Sequence, residues 1–351
     1  MAPPMDESVL RLGLIADIQY ADIDDAIGPF GDRRRYRNAL VVARAAVDFW
    51  NTVGIDAVVQ LGDAIDGYNA QRGCGTAAAL ARVLAELERC TARRRFDLVG
   101  NHELYNLTRS QLLSSGLHCF GPDGKAYRSE KLNERWQAII LDPFEVWTRG
   151  YDLPEDRFVQ EAVEVLRKNN PQVLEAGRSW LDGVPEHLQR FTPLNGGASQ
   201  EQVRWLDAAL AAASGAGRKA LVFTHAPLCC AASRPSALVW NADEILAVLH
   251  RHGDTVVAVF AGHDHDGGYA VDGAGLQHVT LASPLGVADG VDDCCAVLEC
   301  HDAGWARLVA SGRACVEGGR ACGELLLARD TPKAAPRRQA GPAGASEVLA
   351  M

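Results

Sequence analysis

The sequence lacks the features that would indicate a disulfide-rich, membrane-spanning or polyanion-binding protein. Its ten cysteines form no CxxC pair and have no regular spacing, so we expect buried or free thiols in a reducing compartment. No stretch approaches the roughly 18 consecutive apolar residues of a membrane span. Basic residues are in deficit, 35 Lys and Arg against 45 Asp and Glu. The resulting net charge of −10 excludes a main role in coating nucleic acid or anionic membrane.

The two ends of the chain lack the patterns of a signal peptide and of a folded domain, respectively. Residues 1–8 have no cationic start followed by an apolar stretch, so we predict a flexible N-terminus and a cytoplasmic protein. Residues 318–351 are rich in Gly, Ala, Pro and Arg without periodicity, which predicts a poorly ordered tail. Residues 9–317 remain as the folded domain. With 48% hydrophobic residues in 351, the chain has ample material for one large core or two smaller ones.

Short apolar runs alternate with helical patterns along the chain. Five runs of buried-strand length end in polar clusters, at 9–16, 57–61, 96–99, 220–223 and 255–261. Helical periodicity covers 36–50, 76–90, 156–168, 200–213 and 242–252, and further strands are predicted at 137–141, 276–281 and 295–299. This alternation predicts an α/β protein with enough strands for a second sheet. Ligands of α/β sheets collect beyond the carboxyl ends of the strands, where the polar clusters fall.

The polar clusters contain residue types that bind metals. Taken singly, an Asp or Asn after a strand is commonly a turn former, and a His there is commonly a hydrogen-bonded structural residue. Together, the five strand ends supply Asp17, Gln19, Asp63, Asn101, His102, His225, His263 and His265. Oxygen and imidazole ligands converging from several strands favour a shared metal site. Their number favours two metals, which clamp the attacking and leaving oxygens of a phosphoryl transfer, so hydrolysis of a phosphate ester or anhydride is expected.

Five motifs in order resemble the signature of the calcineurin-like metallophosphoesterases. They are Asp17-Ile18-Gln19, Gly62-Asp63, Gly100-Asn101-His102-Glu103, His225 and Gly262-His263-Asp264-His265. The usual first motif of that superfamily is Asp-x-His, and in this sequence Gln19 stands where the histidine would be. An amide oxygen in place of an imidazole makes the site harder, which favours Mn²⁺ or Mg²⁺ over Zn²⁺.

The departure at Gln19 points to one branch of that superfamily. Together with the segments 33–37, 60–71, 195–202 and 262–269, it resembles the manganese-dependent ADP-ribose/CDP-alcohol diphosphatases, over about residues 9 to 310. The resemblance implies a four-layer αββα sandwich with a dimetal site at the C-terminal strand ends. It also implies hydrolysis of the diphosphate of ADP-ribose, CDP-choline or CDP-glycerol to AMP or CMP plus a phosphoester, by a hydroxide activated by two divalent cations. Mn²⁺ would be preferred and Mg²⁺ possible, in a monomer with no nucleic-acid or membrane partner.

The resemblance also assigns roles position by position. One metal would be held by Asp17, Gln19, Asp63 and His265, and the other by Asp63, Asn101, His225 and His263. His102 would then remain to face the leaving group, where it could donate a proton or stabilise charge. The alternative for His102 is a residue that only hydrogen-bonds to the metal ligands.

Substrate-binding residues are predicted from chemistry alone. The distal phosphate of a diphosphate needs a cationic partner beyond the metals, and Arg34 or Arg35 is the candidate within the run 33–37. Such a run is otherwise typical of solvated surface. Candidates for a nucleoside pocket are Phe30, Tyr68, Asn69 and Asn195, because aromatic rings stack on bases and the adjacent glycines allow close approach. Core packing and turn geometry are the alternatives for these four residues.

Two other functions compete with the diphosphatase prediction. A phosphodiesterase or phosphomonoesterase of the same superfamily would use the same site, because pocket shape sets the leaving group. A non-catalytic scaffold with this fold would show eroded ligands, whereas each ligand position carries a side chain competent to bind a metal. Turnover of ADP-ribose against that of a cyclic nucleotide discriminates the two enzymes.

Overall fold

The computed structural model describes residues 9–28, 31–71 and 75–328. In chain order the strands are β1 (Val9–Ile15), β2 (Ala26–Ile27), β3 (Arg33–Arg34), β4 (Ala57–Gln60), β5 (Arg94–Asp97), β6 (Arg128–Lys131), β7 (Trp136–Ile140), β8 (Lys219–Phe223), β9 (Val256–Ala261), β10 (Gly268–Val271), β11 (Gln277–Thr280), β12 (Ala296–His301), β13 (Ala306–Ala310), β14 (Val316–Glu317), β15 (Arg320–Ala321) and β16 (Glu324–Leu327). The α-helices are α1 (Tyr36–Val53), α2 (Tyr68–Gln71), α3 (Thr76–Leu87), α4 (Asn101–Asn106), α5 (Arg109–Leu112), α6 (Arg157–Asn169), α7 (Gln200–Gly215) and α8 (Ala242–Arg251).

Two six-stranded sheets contain most of these strands. The first has the order β16-β13-β12-β1-β4-β5, and the second has the order β10-β11-β9-β8-β7-β6. Strands β1, β4 and β5 run parallel to one another, as do β7, β8, β9 and β11. The parallel strands form one half of the first sheet and the centre of the second. In each sheet their carboxyl ends lie along one edge, where side chains can converge.

The strand β1 illustrates how the two sheets pack together. Its alternate residues Leu12 and Leu14 are fully buried in the core between the sheets, where they join Phe223 and Phe260 of the second sheet. The rings of Phe223 and Phe260 stack with their centroids 5.4 Å apart. Burial of such side chains contributes about 1.5–3 kcal/mol each, so this layer of apolar residues holds the two sheets face to face.

Helices cover the outer faces of both sheets. Helix α1 packs on the first sheet beside α3, and α7 packs on the second sheet beside α8. Trp50 of α1 is fully buried and its Nε1 donates a hydrogen bond to the carbonyl of Ala296, at 3.2 Å. A Cβ atom at Gly13 would lie 2.7 Å from the Trp50 ring, so the glycine allows the helix to approach β1. The predicted four-layer αββα sandwich is confirmed.

The five helices with clear periodicity begin within one residue of their predicted starts. Two of them have side-chain caps that the sequence indicates: Asp156 accepts from the Phe158 N–H at the start of α6, and Ser199 accepts from the Gln202 N–H at the start of α7. Strand β5 lies two residues earlier than predicted, because the apolar run continues past the strand and leads into the loop before α4.

The predicted boundary of the folded domain at residue 317 is placed too early. Strand β16 pairs antiparallel with β13 and adds a strand to the first sheet. Leu325 and Leu327 are buried on the core side of this strand, whereas Leu326 is exposed. Only four residues carry this alternation within a Gly-rich segment, which is why periodicity does not reveal it. The remainder of the predicted tail, 329–351, lies outside the described residues.

None of the helices within the described ranges is sufficiently long and apolar to cross a membrane.

Candidate metal centre and active-site cleft

The residues predicted as metal ligands lie at the carboxyl ends of parallel strands in both sheets. Asp17 and Gln19 follow β1, Asp63 follows β4, and Asn101 begins α4 after β5. The second sheet contributes His225 after β8, and His263 and His265 after β9. Strand ends that are far apart in the sequence therefore bring their polar side chains to one place between the sheets.

The backbone at this place is strained. Asp17, Gln19, Asp63 and His263 all have positive φ, with values of 52°, 42°, 59° and 67°. These are the only non-glycine residues with positive φ in the described part of the chain. Residues in this region of φ/ψ space cost free energy and cluster at functional sites, where the surrounding structure enforces them.

Two neighbouring residues enforce the conformation of the Asp63 loop. The fully buried carboxylate of Glu103 accepts hydrogen bonds from the N–H groups of Asp63, Ala64 and Gly100, at 2.7, 2.6 and 2.8 Å. Gly62 has a φ of 101°, and a Cβ atom there would lie 2.5 Å from Nδ1 of the His225 ring. Only glycine therefore fits at position 62, and the Glu103 carboxylate fixes the loop that follows it.

Both aspartates use one oxygen to hold the loops and direct the other toward the centre. Asp17 Oδ2 accepts from the His263 N–H, and Asp63 Oδ1 accepts from the His102 N–H, each at 2.8 Å. The second oxygen of each carboxylate lies among the side chains of the ligand candidates. Asp63 Oδ2 is 2.9 Å from Gln19 Nε2, and Asp17 Oδ1 is 3.6 Å from His265 Nε2.

The ring of His225 is oriented by the backbone. Its Nδ1 lies 2.7 Å from the carbonyl oxygen of Leu61 and therefore donates to it, which leaves Nε2 to face Asp63 Oδ2 at 3.3 Å and Asp17 Oδ1 at 4.0 Å. Burial lowers the pKa of His225, but the two carboxylates outweigh it and raise the pKa to about 10. The surroundings of Nε2 thus attract positive charge, carried by a proton or by a metal cation.

Several of the residues predicted as metal ligands have buried polar atoms without a partner, and these atoms show whether the residues suit a metal. Asp17 Oδ1, Gln19 Oε1, Asn101 Oδ1 and His225 Nε2 are all buried and have no hydrogen-bond partner in the protein. Leaving such atoms unpaired costs free energy, so each needs a partner from outside the chain. Donor atoms of Asp63, His225 and His263 also lie within 4.8 Å of one another. The four unpartnered atoms are three oxygens and one nitrogen, a set of ligand atoms that suits hard or borderline divalent cations.

Asn195 orients the candidate ligand His263 and does not line the cleft. Its Oδ1 lies 2.8 Å from His263 Nε2, and its amide nitrogen donates to the carbonyls of Arg190 and Ser236, at 2.8 and 2.7 Å. Because Nε2 of His263 is engaged in this way, Nδ1 is the atom available to a metal. The assignment of Asn195 to substrate binding is corrected: its side chain is fully buried and its hydrogen-bonding groups are used within the protein.

His102 lies at the edge of the centre and faces the cleft. Its Nδ1 accepts a hydrogen bond from the Gly67 N–H at 2.8 Å, which places the proton of the neutral ring on Nε2. Nε2 is 3.9 Å from Asp63 Oδ2. The ring also packs edge-on against Tyr105, with centroids 5.2 Å apart, so its orientation is fixed from two sides.

A cleft opens above the centre. Residues of both sheets line it: Gln19, Asp32, Arg34, Asn101, His102, Tyr105, Leu194, Arg234, Ser236, Ala237, His263 and His265. Of the two predicted arginines, Arg34 lines the cleft. The Arg35 guanidinium instead donates to the carbonyl of Gly286 at 3.2 Å and lies 3.7 Å from Asp289, so the structure excludes it from the cleft wall.

Three further predictions for the nucleoside pocket have different outcomes. Asn69 is buried and its amide donates to the carbonyls of Tyr20 and Asp66, at 2.8 and 2.9 Å, so it is a loop-holding residue and not a cleft residue. Tyr68 does not line the cleft, because it packs against the core beside Tyr36, with ring centroids 6.1 Å apart. Phe30 lies outside the described residues.

Six of the cleft residues were not predicted, and three of them are ionisable: Asp32, Tyr105 and Arg234. Asp32 accepts from Arg34 Nε at 2.9 Å and lies 3.5 Å from His265 Nδ1, so it links the arginine to a candidate ligand. Tyr105 stands one helical turn after Asn101, a spacing that could have indicated it. Arg234 lies in an irregular loop after β8, where no sequence pattern marks it.

The fold and the site together define a dimetal-type phosphoesterase. A family model described as calcineurin-like phosphoesterase matches residues 10–267. A solved dimetal phosphatase from Danio rerio superposes with a TM-score of 0.82 and 32% identity, over 91% of this chain and 98% of that one. The chain is therefore a hydrolase that belongs to the calcineurin-like phosphoesterases.

Within that family the chain groups with one set of relatives. A protein from Danio rerio is 36% identical over 290 residues, covering 79% of this chain and 88% of the relative. One from Arabidopsis thaliana is 33% identical over 280 residues, covering 80% and 87%. Both are named manganese-dependent ADP-ribose/CDP-alcohol diphosphatases, and the chain belongs with these proteins.

Proposed function

We propose that this chain hydrolyses the diphosphate bond of ADP-ribose and of CDP-alcohols such as CDP-choline and CDP-glycerol, with Mn²⁺ as its preferred metal. The products are AMP or CMP and a phosphoester. The observation that carries the proposal is the group of four buried donor atoms without protein partners. Two of them, on Gln19 and Asn101, belong to residues that line a cleft together with arginine side chains. The names of the relatives supply the substrate class.

The proposed ligand sets share Asp63 between two metals. One set is Asp17, Gln19, Asp63 and His265, and the other is Asp63, Asn101, His225 and His263. The contacts at 2.9 to 4.0 Å around Asp63 and Asp17 support this division, because they surround both carboxylates with donors from the two sheets. When bound, two such cations acidify water and neutralise charge on the phosphate under attack.

The remaining roles fall to side chains of the cleft. His102 directs its Nε2 proton into the cleft and transfers it to the oxygen of the departing group. Arg34 binds the phosphate that is not attacked, and Asp32 holds its guanidinium at 2.9 Å. Arg34 is only 13% exposed, so its charge acts in surroundings where water screens it weakly.

The test begins with protein stripped of metal by a chelator. Mn²⁺, Mg²⁺ or Zn²⁺ is restored singly, and hydrolysis of ADP-ribose, CDP-choline, cyclic AMP and p-nitrophenyl phosphate is followed. We expect release of AMP and CMP that is greatest with Mn²⁺. Preference for the cyclic or monoester substrate would support another phosphoesterase activity of the same site, and no turnover with any metal would support a scaffold.

Substitution of Gln19 by histidine tests the choice of metal. The Gln19 Oε1 atom is buried without a partner, and Nε2 is 3.0 Å from His265 Nε2. We expect Gln19→His to retain metal binding and to raise activity with Zn²⁺ relative to Mn²⁺ by about fivefold, since imidazole is the softer ligand. Metal titrations of turnover measure the ratio. An unchanged ratio would argue that Gln19 is not a ligand.

Substitution of Arg34 by alanine tests the phosphate contact. We expect KM for ADP-ribose to rise by about 10- to 100-fold with a smaller change in kcat, because a charge-assisted hydrogen bond to substrate is lost. Arg37→Ala is the matched control, since Arg37 belongs to the same run but pairs with Asp22 and Asp24 at the surface. Equal effects of both substitutions would contradict a specific contact at Arg34.

The cellular setting is part of the proposal. The nine cysteines within the described residues are all free, which supports a reducing, cytoplasmic compartment. The net charge of −10 supports small molecules as partners in place of nucleic acid or membrane. We expect a monomer, and sedimentation of the purified protein checks this.

A further inference from the structure

The cleft has a second arginine that the proposed function does not use. Arg34 comes from the short strand β3, whereas Arg234 comes from the loop after β8, and both line the same cleft. The two guanidinium groups therefore reach one space from different sheets. Residues 234 and 34 are 200 positions apart in the sequence, so only the fold brings them together.

Arg234 is held by an aspartate of the metal-ligand loop. Asp264, which is 2% exposed, accepts from the Arg234 backbone N–H at 2.6 Å, and its Oδ1 forms an ion pair with Arg234 Nη2 at 2.8 Å. Asp264 stands between His263 and His265, so the position of Arg234 is tied to that of two candidate ligands. A guanidinium has five N–H donors in a planar fork, and pairing with one carboxylate is compatible with a second anionic partner.

The anchoring of Arg34 follows the same principle. Its aspartate, Asp32, accepts from Arg34 Nε at 2.9 Å and lies 3.5 Å from His265 Nδ1. Each arginine is thus fixed to the metal-ligand loop by its own carboxylate. The side chains are pre-organised, so little conformational entropy is lost when they bind an anion. The Arg234 side chain, at 36% exposure, remains accessible from the cleft.

The positive charges of Arg34 and Arg234 determine which kind of substrate these two side chains can bind. Metals held at the centre would neutralise the phosphate under attack, and a cyclic nucleotide or a monoester has no other phosphate. A diphosphate carries a second one, which needs cations at a separate position. We propose that Arg234 and Arg34 together bind this second phosphate, and that Arg234 makes the cleft selective for diphosphates over substrates with a single phosphate. This inference rests on the proposed function and deepens it.

Two variants of Arg234 test the inference by substrate selectivity. We expect Arg234→Gln to lower kcat/KM for ADP-ribose by about 10- to 100-fold, mainly through KM, and Arg234→Lys to restore part of it. Hydrolysis of thymidine 5′-(p-nitrophenyl phosphate), which has one phosphate, should change less than about threefold. Arg251→Gln is the control, because Arg251 pairs with Asp207 at 3.2 Å on the surface. Equal losses on both substrates would show that Arg234 only holds its loop.

A binding measurement separates this inference from the proposed function. The α,β-methylene analogue of ADP-ribose keeps both phosphorus groups and resists cleavage, and AMP has only one. Calorimetry with Mn²⁺ present should show that Arg234→Gln weakens binding of the analogue by at least about tenfold and leaves AMP within about twofold. Loss of both affinities, or of neither, would overturn the role of Arg234. Failure of the native protein to hydrolyse ADP-ribose would instead overturn the proposed function, and the calorimetry would still stand.

Discussion

Asp63→Ala should abolish hydrolysis of ADP-ribose, with a fall in kcat of at least about 10³-fold, the scale that follows loss of one essential transition-state contact. Asp63 is fully buried and its Oδ2 lies among Gln19, His225 and His102, at 2.9, 3.3 and 3.9 Å. In the proposed ligand sets it is the one residue shared by both metals. Its removal therefore weakens both positions at once.

We expect Asp63→Ala to lower the metal content of the protein as well as its turnover. Elemental analysis after dialysis against Mn²⁺ should give close to two ions per chain for the native protein and substantially fewer for the variant. Asp63→Asn separates charge from backbone conformation, since asparagine also tolerates the φ of 59° at this position. It should lose activity to a similar extent, because an amide is a poorer bridge between cations than a carboxylate.

A partly buried aspartate elsewhere controls for general destabilisation. Asp272 is held by His250 and His278, at 2.7 and 3.0 Å, beside the hairpin of β10 and β11. Asp272→Asn should change thermal stability without lowering the Mn²⁺ content. If Asp63→Ala kept wild-type turnover with Mn²⁺, the two-metal assignment would be wrong.

The residues at the centre were predictable because each follows a strand that the sequence marks clearly. Asp17 and Asp63 come directly after short, buried, β-branched runs, and parallel strands necessarily deliver such residues to one edge. The same runs predict an α/β protein with a second sheet, and the four-layer sandwich is what the resemblance to the calcineurin-like metallophosphoesterases adds. The order of the motifs along the chain and the types of residue in them were enough to indicate a metal site, since metal coordination constrains the residue types.

The walls of the cleft were less predictable, because packing decides whether a polar side chain faces outward or inward. Asn195 and Asn69 lie in polar segments that resemble binding loops in the sequence, yet their amide groups donate to backbone carbonyls. Arg34 and Arg35 are adjacent, but Arg34 ends β3 and lines the cleft, whereas Arg35 precedes α1 and contacts Gly286 and Asp289. Arg234 has no periodic context, so only the tertiary contact with Asp264 reveals it.

His102→Ala tests the role that chemistry assigns to the one histidine left outside the proposed ligand sets. We expect kcat for ADP-ribose to fall by about 10²- to 10⁴-fold, the range for loss of a general acid. The Gly67 N–H fixes the neutral ring with its proton on Nε2, and His102 lines the cleft, so the native side chain has a proton to give. Steady-state kinetics at saturating Mn²⁺ measure the loss.

Dependence on His102 should grow with the basicity of the leaving group. The phosphate monoester released from ADP-ribose is a much weaker base than an alkoxide, so thymidine 5′-(ethyl phosphate), an alkyl diester, should lose at least about tenfold more activity than ADP-ribose in the variant. Mn²⁺ content should stay at the native level, which distinguishes this residue from Asp63. His250→Ala is the control, because His250 pairs with Asp272 away from the cleft. Only proton donation makes the loss of activity depend on the leaving group. Equal losses on both substrates, accompanied by loss of metal, would therefore show that His102 only supports the metal ligands.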